Sequence, residues 1–170
     1  MTDLSPMLEH FVQSAFRVAE QQFQEKRHVV PQATLLAEDD EGSLLAPILS
    51  TMDITESRGG RRVLPTIIQG VWGMLLKERP SLKLLAISLL LDGWTEKVTE
   101  AVANSIVEGN YVPPSQKPDG QETIIVQLNL PDGVKVYTWP YVRMGEEVLF
   151  SGKPEEVQKS GAVYPGLWPL

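Results

Sequence analysis

The stretch ETIIVQLNLPDGVKVYTWPYV, residues 122–142, predicts a β-hairpin. Apolar and polar residues alternate on both sides of the turn sequence PDG, and an Asp-Gly pair between two alternating segments is a strong short-range hairpin signal. The predicted strands are Glu122–Leu130 and Val134–Val142, and Glu147–Phe150 is expected to add an edge strand. The second half of the chain is therefore predicted to be mainly antiparallel sheet.

Three further strands are predicted upstream of this hairpin. Leu82–Trp94 is apolar on both of its alternating sets, which is typical of a central strand that is covered on both faces. Val30–Glu38 and Leu44–Ser50 are separated by a short polar segment that contains Gly42, a residue that permits a positive φ. These two segments are predicted to pair as a second hairpin.

Two long helices are predicted from apolar residues that recur at three- and four-residue spacing. The first spans residues 6–26, with Ser5 as its N-cap and Pro6 at the first helical position, where the missing N–H is not needed. The second begins at Arg61 and ends near Pro80.

The order of elements predicts an α+β fold: helix, two strands, helix, and three or four strands. An antiparallel sheet of five to six strands is expected to pack with the two long helices. Residues 1–153 are predicted to form a single domain, and the proline-rich residues 95–120 an excursion without a long element. Residues 154–170 lack a regular period but are too apolar for a disordered tail, so they are expected to lie extended on the domain or on a second copy.

Composition and charge exclude several classes of protein. The chain of 170 residues is 42% hydrophobic and 22% charged, which is typical of a soluble globular protein. Its net charge of −7 disfavours nucleic acid as a partner, because phosphate binding needs a basic face. The absence of cysteine excludes a disulfide framework, a thiolate metal site and a cysteine nucleophile.

The sequence also predicts neither a membrane segment nor a signal peptide. The longest apolar run, Leu84–Leu91, is interrupted by Ser88 and is far shorter than the roughly 20 residues that span a bilayer. The first ten residues lack the basic flank and the apolar core of a secretory signal. A cytoplasmic location without a membrane partner is therefore expected.

No known catalytic or cofactor-binding motif occurs in the chain. The two histidines, His10 and His28, are too far apart for a short metal-ligand pair. The acidic run Glu38–Glu41 is much shorter than a calcium-binding loop and is expected to be a solvated turn. The sequence predicts no metal, no cofactor and no catalytic residue.

The positive cluster RGGRR is a candidate anion site. Arg58, Gly59, Gly60, Arg61 and Arg62 lie at the start of the second predicted helix. A helix start offers unpaired N–H groups, guanidinium groups bind anions, and glycine lets a ligand approach the backbone. A solvated, flexible loop accounts for the same residues, so both interpretations stay open.

Four aromatic residues are candidates for a contact surface. Tyr137, Trp139 and Tyr141 alternate along one predicted strand and are expected to share a face of the sheet, and Trp168 lies in the tail. An aromatic ladder of this kind forms either the core beneath a helix or an exposed interaction surface. The core interpretation is favoured for the ladder, and the four residues together are the candidates for the interaction surface.

The layout of the chain resembles that of small bacterial α+β proteins of uncharacterised function. The segments LAISLLLDGW and QETIIVQLNLPDG carry this resemblance, together with Asp92 and Trp94 at a strand end, and it covers residues 7–150. The order of elements is also similar to that of roadblock and profilin-type folds, whose sheets lie between helices. Neither resemblance implies a catalytic residue, a cofactor or a particular partner.

The expected function is that of a non-enzymatic binding or protein-interaction module, whose partner is an unknown protein or a second copy of the chain. The alternative is a small-molecule enzyme or an anion-binding protein, with a pocket built from Arg58–Arg62, Asp92 and the 95–120 excursion. Turnover that is lost on mutation of Arg61 or Asp92 would favour the alternative. Partner-dependent protection of the Tyr137–Tyr141 strand would favour the module.

Overall fold

The computed structural model describes residues 5–50, 60–95, 100–118, 120–157 and 166–169. The α-helices in these ranges are α1 (Ser5–Lys26), α2 (Gly60–Glu78) and α3 (Glu100–Glu108), and Pro114–Gln116 forms one turn of 3-10 helix. The strands are β1 (Gln32–Glu38), β2 (Leu44–Leu45), β3 (Ile48–Ser50), β4 (Lys83–Thr95), β5 (Gln121–Leu130), β6 (Gly133–Met144), β7 (Glu147–Phe150) and β8 (Glu155–Glu156). None of the described helices is both long enough and apolar enough to cross a membrane.

The described strands form an antiparallel sheet in the order β2-β1-β4-β5-β6-β7. At one edge β3 pairs with β1 beside β2, and at the other edge β8 pairs with β6 beside β7. The predicted α+β class, with an antiparallel sheet and two long helices, is confirmed.

The predicted β5–β6 hairpin is present, but its turn is shorter than predicted, because Gly133 begins β6 and only Pro131 and Asp132 connect the strands. Leu130 is opposite Gly133 at the turn, and the pairing continues without a break to Thr123 opposite Pro140. Tyr137, Trp139 and Tyr141 all pack against the same core cluster as α1, so the predicted sharing of one sheet face is confirmed.

The sheet has a hydrophobic core on each face. Phe16, Ala19 and Phe23 of α1 pack on one face, and Leu64 and Ile68 of α2 pack on the other. Strand β4 contributes to both cores, as the sequence predicts for a central strand: Leu90 lies under α1, whereas Ile87 and Leu89 lie under α2. Leu85 forms a bulge in β4: Leu36 of β1 is opposite Ala86 and Ala37 is opposite Leu84, so Leu85 has no opposite residue in β1.

Two predicted segments differ from the structure. The predicted strand Leu44–Ser50 is divided into β2 and β3 around Pro47, which has no N–H to donate to the sheet; its carbonyl accepts from Leu35 N at 3.1 Å. The 95–120 excursion contains α3, a helix of nine residues. Periodicity underestimates this helix because none of its residues is buried, and it ends at Gly109, whose φ is +77°.

The C-terminal tail contacts the second core at its end. Leu167 is 1% exposed among residues of α2 and the sheet, and Trp168 is partly buried beside them. Residues 158–165 and Leu170 lie outside the described residues. Leu167 and Trp168 thus contact the core of their own chain, and both the extended course of the whole tail and the domain boundary at residue 153 stay predictions.

Candidate ligand-binding groove

A groove of about 340 Å³ opens between α1 and the β2–β3 edge of the sheet. The side of α1 that faces it carries Met7, His10, Phe11, Ser14, Ala15 and Val18. The floor and the outer rim are formed by Gln32, Thr34 and Leu36 of β1, Ser88 of β4, and Leu44, Ala46 and Ile48 at the edge. The groove is therefore apolar along the helix and at the rim, and polar in part of its floor.

The space exists because small and polar side chains occupy positions that are filled by large apolar residues elsewhere on this face. Ser88 pairs with Thr34 across β4 and β1, and with Leu128 on the other side. Ile48 of β3 is opposite Thr34, so one row across the sheet runs Ile48, Thr34, Ser88 and Leu128. The two hydroxyl residues in the middle of the row leave room under Ser14 and Ala15.

The Ser88 hydroxyl is buried and has no hydrogen-bond partner among the described residues. Ser88 is 3% exposed, and its side chain lies on the α1 face because Ile87 and Leu89, its neighbours in β4, pack with α2. Neither Ser88 nor the half-buried Thr34 has a side-chain hydrogen bond to any residue that the structure describes. Buried polar groups in proteins nearly always have a partner, so the floor offers hydrogen bonds to a molecule that enters the groove.

The rim of the groove exposes apolar side chains to solvent. Leu44 is 50% exposed and Ile48 is 61% exposed, although both border an apolar space. Among the described residues that line the groove, none is Lys, Arg, Asp or Glu, and His10 at the rim is exposed. The groove thus offers apolar contact and hydroxyl groups without a fixed charge.

The opposite side of α1 packs closely against β6 and β7 through an aromatic cluster. We define this cluster as Phe16, Phe23, Trp139, Tyr141 and Phe150. Trp139 stacks on Phe150 with ring centroids 3.9 Å apart, and Phe23 meets Tyr141 edge-on at 4.8 Å. Phe16 contacts Trp139 edge-on at 5.9 Å.

This packing corrects part of the predicted interaction surface. Tyr141 is 1% exposed and Trp139 is partly buried, because both rings lie beneath α1. Tyr137 is partly buried against the same core, and Trp168 packs at the other face. Tyr141 is therefore a core residue, and the contact role of the other three residues stays a prediction.

A polar network surrounds the Tyr141 hydroxyl, and we call it the Tyr141 network: Asp92, Glu122, Tyr141 and Arg143. Tyr141 Oη donates to Asp92 Oδ1 at 2.8 Å, and Arg143 Nη2 donates to Tyr141 Oη at 3.3 Å. Arg143 Nε donates to Glu122 Oε1 at 3.2 Å. Burial and the bond to Asp92 raise the pKa of Tyr141 far above its usual value, so the hydroxyl keeps its proton and holds the hairpin to β4.

Asp92 lies at the solvent edge of this network. Asp92 is exposed, but the protein on one side of the carboxyl desolvates it enough to raise its pKa, against the lowering effects of Tyr141 and Arg143. The carboxyl bonds to Tyr141 on the α1 face, whereas α2 packs on the other face of the sheet. The Asp92 carboxyl and the packed side chains of α2 therefore lie on opposite faces of the sheet. This arrangement bears on the predicted pocket, which combined Asp92 with the start of α2.

The candidate anion site lies largely outside the described residues. Arg58 and Gly59 are outside them, and α2 begins at Gly60, which places the backbone of Arg61 and Arg62 in its first turn. This agrees with the predicted helix start, and the anion site itself stays a prediction. In the described part of the chain, no group of three His, Asp or Glu side chains is arranged to hold a metal ion.

Comparison of the chain with family models, with curated proteins and with solved structures finds no match.

Sequence reasoning did not predict the groove, although one signal for it is present. Ser88 is a polar residue in the apolar run Leu84–Leu91 of a strand that is buried on both faces. A hydroxyl in such a strand needs a partner, so its position could have pointed to a polar site under a helix. The opposite residue, Thr34, can be identified only when the register of β1 and β4 is known.

Proposed function

We propose that this protein is a non-enzymatic binding module that holds a small, mainly apolar molecule in the groove between α1 and the β2–β3 edge. The observation that supports the proposal most directly is an apolar space of about 340 Å³ with hydroxyl groups in its floor. Pockets for small ligands are mostly apolar, contain a few convergent polar groups, and have volumes of about 300–1,000 Å³. The groove lies at the lower end of this range.

The groove is preformed. Phe16 and Phe23 of the aromatic cluster pack the other side of α1 against Trp139, Tyr141 and Phe150, so the helix is fixed while its groove side stays open. A ligand that enters would bury its own apolar surface together with that of Phe11, Leu44 and Ile48. Burial contributes about 25 cal/mol per Å², and little binding free energy is spent on ordering a preformed wall.

Binding of an uncharged fluorescent probe, N-phenylnaphthylamine, tests the proposal. The probe emits strongly in apolar surroundings, so titration of the wild type is expected to give saturable fluorescence. Ser14→Phe places a ring inside the groove and is expected to lower probe affinity by at least about tenfold. The substitution is compatible with the helix because the Ser14 hydroxyl bonds only to His10 O, four residues earlier, among the described residues.

Gln13→Phe is the matched control for this experiment. Gln13 is the neighbour of Ser14 on α1, it is exposed, and it does not line the groove. It therefore receives the same ring on the same helix without filling the site. Probe binding that is equal in the two variants, or absent in the folded wild type, would contradict the proposed function.

Self-association at the β2–β3 edge is a second candidate function. The exposed Leu44 and Ile48 give this edge apolar side chains, and an edge strand offers unpaired backbone groups to another chain. Light scattering of the wild type and of Ile48→Lys measures it. A wild-type dimer that the substitution converts to monomer would support this candidate, and an unchanged monomeric mass in both would contradict it.

The anion site at Arg58–Arg62 and a cytoplasmic location in a bacterium remain parts of the proposal. The start of α2 at Gly60 supports the anion site, since it places Arg61 in a helix start. Sulfate is then expected to raise the melting temperature of the wild type more than that of Arg61→Ala at fixed ionic strength. An equal shift in both proteins would contradict the anion site.

A further inference from the structure

We propose that the groove selects molecules that carry one uncharged hydrogen-bonding group, such as an alcohol, on an apolar body, and that this group binds Ser88 and Thr34. The inference rests on the proposed function of the groove and specifies the chemistry of its ligand. Three observations support it: the burial of the Ser88 hydroxyl, the register that pairs it with Thr34, and the lack of fixed charge among the described lining residues.

The hydroxyl pair needs a partner that can both donate and accept. Ser88 is 3% exposed, and neither hydroxyl bonds to another side chain or carbonyl in the described part of the chain. A serine or threonine hydroxyl has one donor and two acceptor sites. An alcohol on the ligand has the same complement, so it can accept from one hydroxyl of the pair and donate to the other.

The ligand group is uncharged because nothing described in the groove would neutralise a charge. A carboxylate bound at Ser88 would lose its hydration and would have no Lys or Arg partner among the described lining residues. An ammonium group would likewise have no Asp or Glu partner there. Transfer of an unpaired charge from water into an apolar site is strongly unfavourable, whereas a neutral hydroxyl with two partners is accommodated.

The apolar body of the ligand points from Ser88 toward the β2–β3 edge. Thr34 lies between Ser88 and Ile48 in the row across the sheet, and Ile48 and Leu44 line the outer end of the groove. A chain anchored at the hydroxyl pair would run along this row and cover the two exposed rim side chains. This direction explains why the rim is apolar although it faces solvent.

The test compares three ligands that share one alkyl chain: octanol, octanoate and octylamine, each used to displace N-phenylnaphthylamine. Octanol is expected to displace the probe at a concentration about tenfold lower than the two ions. Ser88→Ala and Thr34→Val are each expected to weaken octanol about fivefold to tenfold, which corresponds to one hydrogen bond. The affinity of each variant for the probe is measured first, so that the displacement data give the affinity for octanol separately.

The outcomes separate this inference from the proposed function. If all three ligands displace the probe equally, or if both hydroxyl variants bind octanol as the wild type does, the inference is wrong and the apolar groove remains. If Ser14→Phe and Gln13→Phe bind the probe equally, the groove itself is not the site. Thr34→Val keeps the shape of the side chain, so it tests the hydroxyl pair independently if Ser88→Ala alters the fold. Circular dichroism of each variant shows whether it is folded.

Discussion

The two sides of α1 show how differently one helix can be packed on one sheet. Toward β6 and β7, the aromatic cluster fills the space beneath the helix, and the Tyr141 network gives the buried tyrosine hydroxyl two partners, Asp92 and Arg143. Toward β1 and β3, a groove of about 340 Å³ is left, and the Ser88 hydroxyl has no partner among the described residues. On the first side the chain fills the space and satisfies the hydroxyl, whereas the second side keeps space and a hydroxyl available for binding.

This contrast separates the residues that stabilise the fold from those that are available for binding. Interiors are closely packed, so a side chain that fills space and satisfies its hydrogen bonds contributes to stability. A side chain beside unfilled space contributes less, and an unpaired buried hydroxyl opposes folding. Substitutions on the two sides of α1 should therefore have effects of different size and even of different sign.

The largest expected effect is the loss of a ring from the filled side. Phe23 is 5% exposed and contacts Tyr141 and Phe150, so Phe23→Ala should lower the free energy of unfolding by about 3–5 kcal/mol. Phe11 is partly buried at the groove, and Phe11→Ala should cost only about 1 kcal/mol. Urea unfolding of both variants measures the difference. Equal losses would show that the two sides of α1 are packed alike.

A smaller effect is expected from the two buried hydroxyls on this sheet face. Tyr141→Phe removes a hydroxyl that donates to Asp92 and accepts from Arg143, so it should cost about 1–2 kcal/mol of unfolding free energy. Ser88→Ala removes a hydroxyl without a described partner and should cost nothing, or stabilise the protein by up to about 1 kcal/mol. Thermal unfolding in the absence of ligand tests both. A clear loss of stability in Ser88→Ala would mean that its hydroxyl is satisfied in the folded protein.

The elements whose patterns are strong were predictable from the sequence. The β5–β6 hairpin follows from its alternation and its PDG turn, β4 from its apolar residues on both faces, and α1 from its apolar stripe. Helix α3 was not predicted at its full length, because a helix with no buried residue lacks the periodic signal that burial imposes. The division of Leu44–Ser50 around Pro47 depends on the hydrogen bonds of β1 and was missed as well.

The groove and the Tyr141 network depend on contacts between distant segments. Tyr141 reaches Asp92 only because β4 pairs with β5 and β5 with β6 in a fixed register, in which Asp92 is opposite Ile124 and Ile124 opposite Trp139. The groove depends on which side of α1 lies over Thr34 and Ser88. A single sequence shows which face of each element is apolar, but not how two faces are aligned against each other.

The smallest expected effect is a change in the pH dependence of stability at Asp92. Its pKa is raised in the folded protein, mainly by desolvation, while Tyr141 and Arg143 act in the opposite direction. The folded state therefore binds the proton more tightly than the unfolded state, and stability attributable to Asp92 decreases as the pH rises above about 4, the usual aspartate pKa. Asp92→Asn removes this titration and keeps an oxygen that accepts from Tyr141.

We therefore expect the unfolding free energy of Asp92→Asn, minus that of the wild type, to increase as the pH rises from about 4. The difference should level off once the wild-type carboxyl is ionised in both the folded and the unfolded state. Urea unfolding at a series of pH values measures this difference. Asp132→Asn, at an exposed residue of the β5–β6 turn, controls for the loss of one negative charge from an acidic protein. A difference that grows toward acid instead would mean that Tyr141 and Arg143 outweigh desolvation at Asp92. In that event the Tyr141 network would stabilise the ionised carboxylate, and the filled side of α1 would owe part of its stability to charge as well as to packing.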